Sequence, residues 1–192
     1  MIQFTFKQYT IEVYDIPTSS KSSANSLNDY NNLYFDEREY KWTSIHGIKV
    51  FQNNKPFKSA AITAGGGGTR IHKNSALIDN NRIVICCSDS VFCLTIPDLS
   101  LLWKTQADSA TCFEILKYKE SYIIHGEMEI SRIDINGKIL WEQSGADIFI
   151  TPDGKGLLNL SEGFVSVKDW ENRVYKYDYD GNDYTDKKQF LK

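Results

Sequence analysis

Three stretches of this chain can be laid over one another, and that internal repeat limits its possible folds more than any other feature. They are ALIDNNRIVICCSDSVFCLTIPDLSLLWK (76–104), FEILKYKESYIIHGEMEISRIDINGKILWE (113–142) and FITPDGKGLLNLSEGFVSVKDWENRVYKY (149–177). Their first residues, Ala76, Phe113 and Phe149, lie 37 and 36 positions apart. Each reads as four short strands separated by polar turns, and each carries a late aromatic: Trp103, Trp141 and Tyr175. A looser copy is LYFDEREYKWTSIHGIKVFQNNKPFK (33–58). Its internal turn is placed at His46-Gly47, to match Ser88-Asp89-Ser90, His125-Gly126 and Ser161-Glu162-Gly163. TIEVYDIP (10–17) echoes SVFCLTIP (90–97) and suggests a partial fifth unit at the N-terminus.

A repeat of this length built from four short strands predicts an all-β protein, a small propeller or propeller-like curved antiparallel array of four to five hairpin units. The units cover about 1–17 (partial), 33–64, 76–107, 113–144 and 149–177 of a single domain spanning 1–192, with the N-terminal strands completing the last blade. A lone four-stranded unit cannot bury both its faces, so neighbours must stack. Trp103, Trp141 and Tyr175 are expected in those seams, where a large ring removes about 150–250 Å² from water. PTSSKSSANSLNDYNN (17–32) is polar and of low complexity, and reads as a long mobile loop.

DINGKILWE (134–142) resembles the D-x-x-G-K-x-x-W ending of quinoprotein-like propeller repeats, and PDLSLLWK (97–104) is a weaker version. FITPDGKGLL (149–158) is similar to the S-P-D-G-K-x-L hairpin of WD40-type propellers. The resemblance covers 76–177 and implies architecture only, because such repeats serve enzymes, scaffolds and receptors alike.

The run TAGGGGTRIHK (63–73) raises the question of a phosphate cradle. A P-loop needs Lys-Ser/Thr after its last glycine, and Gly68 is followed by Thr69-Arg70. The residues that follow read as strand, not helix, so the glycines are expected to be a hinge between units. His46 and His125 fall at matching turns, and His72 stands beside the glycines. Cys86, Cys87, Cys93 and Cys112 form no C-x-x-C pair and are expected to be free thiols buried in strands, with no metal and no cofactor. YDYDGNDYTD (177–186) lacks the spacing and closing Glu of a calcium loop and reads as a hairpin turn.

The alternating start MIQFTFKQYTIEVYDIP lacks the form of a signal peptide, and no apolar run has membrane-spanning length, so a cytoplasmic location is expected. A net charge of −3 argues against direct nucleic-acid binding, and no membrane contact is expected. No nucleophile elbow is recognisable, and the chain is expected not to be an enzyme. Its cluster NDYNNLYFDEREYKW (28–42) joins Tyr30 and Tyr34 to Asp36, Glu37 and Glu39. With Asp178, Asp180 and Asp183 these are the candidate partner-binding residues, since tyrosines give contact area and carboxylates steer a basic partner. A strand with one buried aromatic face and one charged face explains the same cluster. In general character the chain is similar to the immunity proteins of bacterial contact-dependent growth inhibition systems, which implies capture of a basic toxin nuclease. The alternatives are an enzyme or sugar-binding protein with a central site near Arg70, His72 and Arg132, and a scaffold.

Overall fold

The computed structural model describes residues 1–18, 27–35, 42–152 and 158–184. Strands β1 (Ile2–Phe6), β2 (Tyr9–Asp15), β3 (Asn32–Tyr34), β4 (Ser44–Gln52) and β5 (Lys55–Ala64) form a first sheet in the order β1-β2-β4-β5-β3. A second sheet takes β6 (Ala76–Asp79), β7 (Arg82–Cys87), β8 (Ser90–Thr95) and β9 (Leu101–Gln106) in chain order. The third does the same with β10 (Cys112–Tyr118), β11 (Ser121–Gly126), β12 (Glu129–Asp134) and β13 (Ile139–Ser144). The fourth holds β14 (Asn159–Ser161), β15 (Phe164–Lys168) and β16 (Val174–Asp178). All neighbours are antiparallel except β3, which runs parallel to β5. The chain is thus an all-β, propeller-like array of antiparallel sheets. No described helix is long and apolar enough to cross a membrane.

Strand alternation explains why the sheets stack. On β7, Ile83, Ile85 and Cys87 face the first sheet, while Val84 and Cys86 face the third. On β11, Tyr122 and Ile124 face the second sheet and Ile123 the fourth. A blade buried on both faces must be apolar at consecutive positions, which is why RIVICC and SYIIHG read as nearly continuous apolar runs. Tight turns between these strands carry Asn80, Ser88, Lys119 and Gly163 at positive φ, as two-residue hairpins require.

Three features depart from the sequence expectation. The N-terminal strands make no separate unit: β1 pairs with β2, β2 pairs along its whole length with β4, and so 1–17 and 33–64 share one sheet. His46-Gly47 is no turn but mid-strand, opposite Tyr14 and Asp15 on one side and Ala61 and Ile62 on the other. Gly47 is needed there because a Cβ would come within 2.7 Å of the Tyr14 ring and of the Tyr30 hydroxyl. Finally, the last unit is displaced along the sequence. After β12, Asp134 Oδ1 accepts the N–H of Asn136 and Lys138, and after β16 Asp178 Oδ1 accepts those of Asp180 and Asn182. Gly137 and Gly181 close these turns with the same φ of 87°. β16 therefore stands where β12 does, Asp183 bridges back to Tyr177 as a next strand would, and Tyr175 is not the counterpart of Trp141. The PDGKG hairpin read from 152–156 lies almost wholly outside the described residues.

Of the segment 17–32, positions 19–26 are also outside them. Its second part is tied to neighbouring sheets: Leu27 is buried, Asn31 bonds Ser59, and the Asn32 amide donates to the Asp98 and Leu99 carbonyls.

Candidate functional site

The aromatic seams form as expected, and their geometry repeats. Trp103 on β9 donates its indole N–H to the Ile135 carbonyl at 2.9 Å, and Thr105 donates to that of Gly137 at 2.6 Å. One blade on, Trp141 on β13 donates to Tyr179 O at 2.9 Å and the Gln143 amide to Gly181 O at 2.8 Å. An arginine joins each dock, Arg82 on Ile135 O and Arg132 on Tyr179 O. Each glycine exists because the indole lies on it: a Cβ on Gly137 would stand 2.7 Å from the Trp103 ring, and one on Gly181 2.6 Å from that of Trp141. The outer hairpins of the third and fourth sheets are thereby each held under a tryptophan of the sheet before.

The opposite strand ends are held by carboxylates and backbone. Asp108, between the second and third sheets, accepts four backbone N–H groups: Ala110 and Thr111 on Oδ1, Met128 and Glu129 on Oδ2. Burial pushes its carboxyl up to about 6, against the pull of those four donors. His125 lies between the Glu114 carboxylate at 3.3 Å and the Phe149 carbonyl at 2.8 Å. Burial alone would raise Glu114, but hydrogen bonds from His125 and Asn74 and the nearby imidazoles hold it below the usual carboxylate range. The glycine run does join the first sheet to the second, yet it is fastened: Gly67 N–H donates to Ala110 O at 2.8 Å and Gly65 O accepts from Asp89 N.

Of the candidate partner-binding residues that the structure describes, Tyr30 and Tyr34 lie at the first sheet and Asp178, Asp180 and Asp183 at the end of the fourth. Asp36, Glu37 and Glu39 lie outside the described residues. Tyr30 is joined by its hydroxyl to that of Tyr14 at 2.6 Å, and Tyr34 donates to Leu99 O at 2.8 Å, so both act in packing the first sheet. Asp178 organises its turn, Asp183 bridges to Tyr177, and Asp180 stands exposed 3.9 Å from Arg132. The alternative trio is also dispersed. His72 bonds the Phe113 carbonyl, and Arg132 is held by Ser121, by Tyr179 and over the Tyr118 ring. Arg70 lines a polar groove of about 480 Å³ with Asp15, Thr18, Thr43 and Gly68. Asp15 there sits 3.1 Å from His46 Nδ1 and accepts Ile71 N–H; the adjacent imidazole outweighs burial and holds the Asp15 carboxyl below its ordinary value.

All four cysteines are free and buried. Burial raises every thiol, Cys93 to about 11 and Cys86, Cys87 and Cys112 further, so none is a ready nucleophile. Among the described residues, no three His, Cys, Asp or Glu side chains gather as a metal site would require.

β9 and β13 are terminal strands of their sheets, and on them Leu102 and Leu140, each one residue before a seam tryptophan, are 47% and 46% exposed. The signal in the sequence is the pairing of LLWK with ILWE, in which leucine precedes the seam tryptophan in both units.

No family model and no curated protein matches the chain. Among solved structures it is similar to the WD40 β-propeller domain of Doa1, with a TM-score of 0.48 and 17% identity over 68% of this chain and 43% of that one. BamB from Moraxella catarrhalis gives 0.49 and 16%, over 74% and 45%. The chain thus spans less than half the length of either. The computationally designed Ika4 protein gives 0.50 and 14%, over 76% of this chain and 96% of that one. At such identity the last likeness is one of fold alone.

Proposed function

We propose that the chain is a non-enzymatic, cytoplasmic protein-binding module that meets its partner on the rim of β9 and β13. The supporting observation is the repeated exposure of Leu102 and Leu140 on the terminal strands of two successive sheets. A terminal strand offers backbone groups to any added strand, and proteins usually blunt such edges with charge. Here equivalent positions carry leucine instead, which favours contact with another protein. The test is a double substitution, Leu102→Glu with Leu140→Glu, assayed by calorimetry against the product of a neighbouring gene that co-purifies with the chain. Binding is expected to fall by about tenfold or more, as for loss of a buried anchor, with an unchanged denaturation midpoint. Unaltered affinity removes the rim from the interface.

The finer reading is an immunity protein that occludes a basic toxin nuclease. It is supported by the net charge of −3 and by the acidic, tyrosine-bearing cluster at 28–42. Reversing Asp36, Glu37 and Glu39 to lysine should then weaken capture of a nuclease encoded beside this chain, and more so at low salt. An adjacent gene whose product is not a nuclease, or equal affinity after reversal, rejects it.

A further inference from the structure

The turn between β12 and β13 holds the only Asn-Gly pair in the sequence, Asn136-Gly137. Its glycine is imposed by the seam, since any Cβ there would strike the Trp103 ring. Asn136 is exposed, and its side-chain amide has no partner among the described residues. It lies between two docked carbonyls: Ile135 O takes the Trp103 indole N–H at 2.9 Å, and Gly137 O takes the Thr105 hydroxyl at 2.6 Å. The Gly137 N–H is donated to Asp134 O at 3.1 Å. A side-chain amide followed by glycine is chemically labile, because the next backbone nitrogen meets no side chain on its way to the amide carbon. The dock thus imposes the labile pair and at the same time engages the nitrogen through which it reacts.

We infer that Asn136 is a site of spontaneous covalent modification, gated by opening of the Trp103 dock. In the open turn the Gly137 nitrogen attacks Asn136 Cγ. An N–Cγ bond forms and the Cγ–Nδ2 bond breaks. The amide nitrogen leaves as ammonia, taking up one proton in place of the one the Gly137 nitrogen gives to solvent. Water then opens the succinimide at either carbonyl, and nothing is oxidised or reduced. Attack at Cγ restores the normal chain with an aspartate side chain. Attack at the former backbone carbonyl leaves the chain running through Cβ and Cγ as isoaspartate, one carbon longer. The two products have opposite consequences. The equivalent dock already carries an acid at this position: Asp180 stands between Tyr179 O and Gly181 O, which bind Trp141 and Gln143. Aspartate therefore fits. The extra carbon of isoaspartate, about 1.5 Å of chain, falls between two carbonyls that are both held, with no slack against Trp103 at Gly137. It keeps the dock from closing again. No partner enters this reading, so it stands or falls apart from that of the rim.

The full chain is incubated at mildly alkaline pH with and without guanidinium chloride. The peptide holding position 136 is followed by mass spectrometry, and isoaspartate is scored by enzymatic methylation. Conversion in the native chain should run about tenfold or more slower than in denaturant, in step with hydrogen exchange of the Gly137 amide. Trp103→Phe and Thr105→Val each weaken the dock and should speed native conversion about fivefold or more. The purified isoaspartyl chain should show a lowered denaturation midpoint, and Asn136→Asp an unchanged one. The ratio of native to denatured rates on the unmodified chain carries the test even if a variant misfolds. No conversion in denaturant, equal rates with and without it, native rates unmoved in both folded variants, or an isoaspartyl chain as stable as the unmodified one would overturn the inference.

Discussion

Alanine at Gly137, Gly163 and Gly68 separates the two reasons a glycine is needed in this array. At Gly137, φ is 87° and a Cβ would lie 2.7 Å from Trp103 Cγ and Cδ2 and 3.0 Å from Thr105 Oγ1. The left-handed backbone costs an alanine about 1–2 kcal/mol. The clash adds about 1–3 kcal/mol, because the indole cannot retreat without breaking its 2.9 Å bond to Ile135 O. Gly163 has nearly the same φ, 85°, but its nearest obstacle is the Tyr184 hydroxyl at 3.7 Å, an ordinary contact. It should lose only the backbone part. Gly68 has no atom within 4 Å and no positive φ, so alanine there should be neutral, or stabilising by about 0.4–1 kcal/mol through the unfolded chain. The expected order of destabilisation is Gly137→Ala at about 2–5 kcal/mol, Gly163→Ala at about 1–2, and Gly68→Ala near zero. Urea denaturation followed by tryptophan fluorescence gives all three, and matching m-values test that the sheets melt together. For a chain of this size the first change should also lower Tm by roughly 2–4 °C per kcal/mol. If Gly137→Ala proves no worse than Gly163→Ala, the indole does not pin the hairpin and the seam argument fails.

Gly181→Ala, set against Trp141 as Gly137 is against Trp103, should match Gly137→Ala within about 1 kcal/mol; a much milder effect would mean the last sheet is docked differently. Trp103→Phe should cost about 1–3 kcal/mol, since it removes one of the two donors to the Ile135 carbonyl and shrinks the seam, with native-state hydrogen exchange showing earlier opening of 134–138. Glu114 has its folded-state pKa lowered, so its contribution is complete above its unfolded pKa and lost as pH falls through the lower folded value. Glu114→Gln should therefore flatten the acid limb of a stability profile taken from pH 3 to 7; an unchanged limb would contradict the Glu114–His125 lock. All four cysteines should resist a thiol reagent in the native chain and react fully in denaturant, and prompt native labelling of Cys93 would show the second seam to be open.

How far the sequence reveals this fold depends on how each strand is buried. β7, β8 and β11 lie between two blades, and packing on both faces forces apolar residues into consecutive positions, so the second and third units are legible to within a residue or two. The first sheet is harder, because only one of its faces meets another sheet. Its other face is covered by 27–35 and Trp42, which come from a polar segment whose contacts are made through Asn31, Asn32 and the tyrosine hydroxyls and follow no strand period. In the last unit the late aromatic is the weaker guide: Tyr175 aligns with Trp141 by spacing, yet DYDGN (178–182) repeats DINGK (134–138) in both the Asp that organises the turn and the left-handed glycine. Turn chemistry fixes register because one slipped residue exchanges the faces of a whole strand, whereas an aromatic can be supplied from either neighbour of a seam. The candidate contact positions are the least legible for a related reason. Leu102 and Leu140 look like core residues until the sheet order makes their strands terminal. In a repeat array the pattern that specifies the stack is local, and which positions it leaves open to a partner shows only once the order of the strands is known.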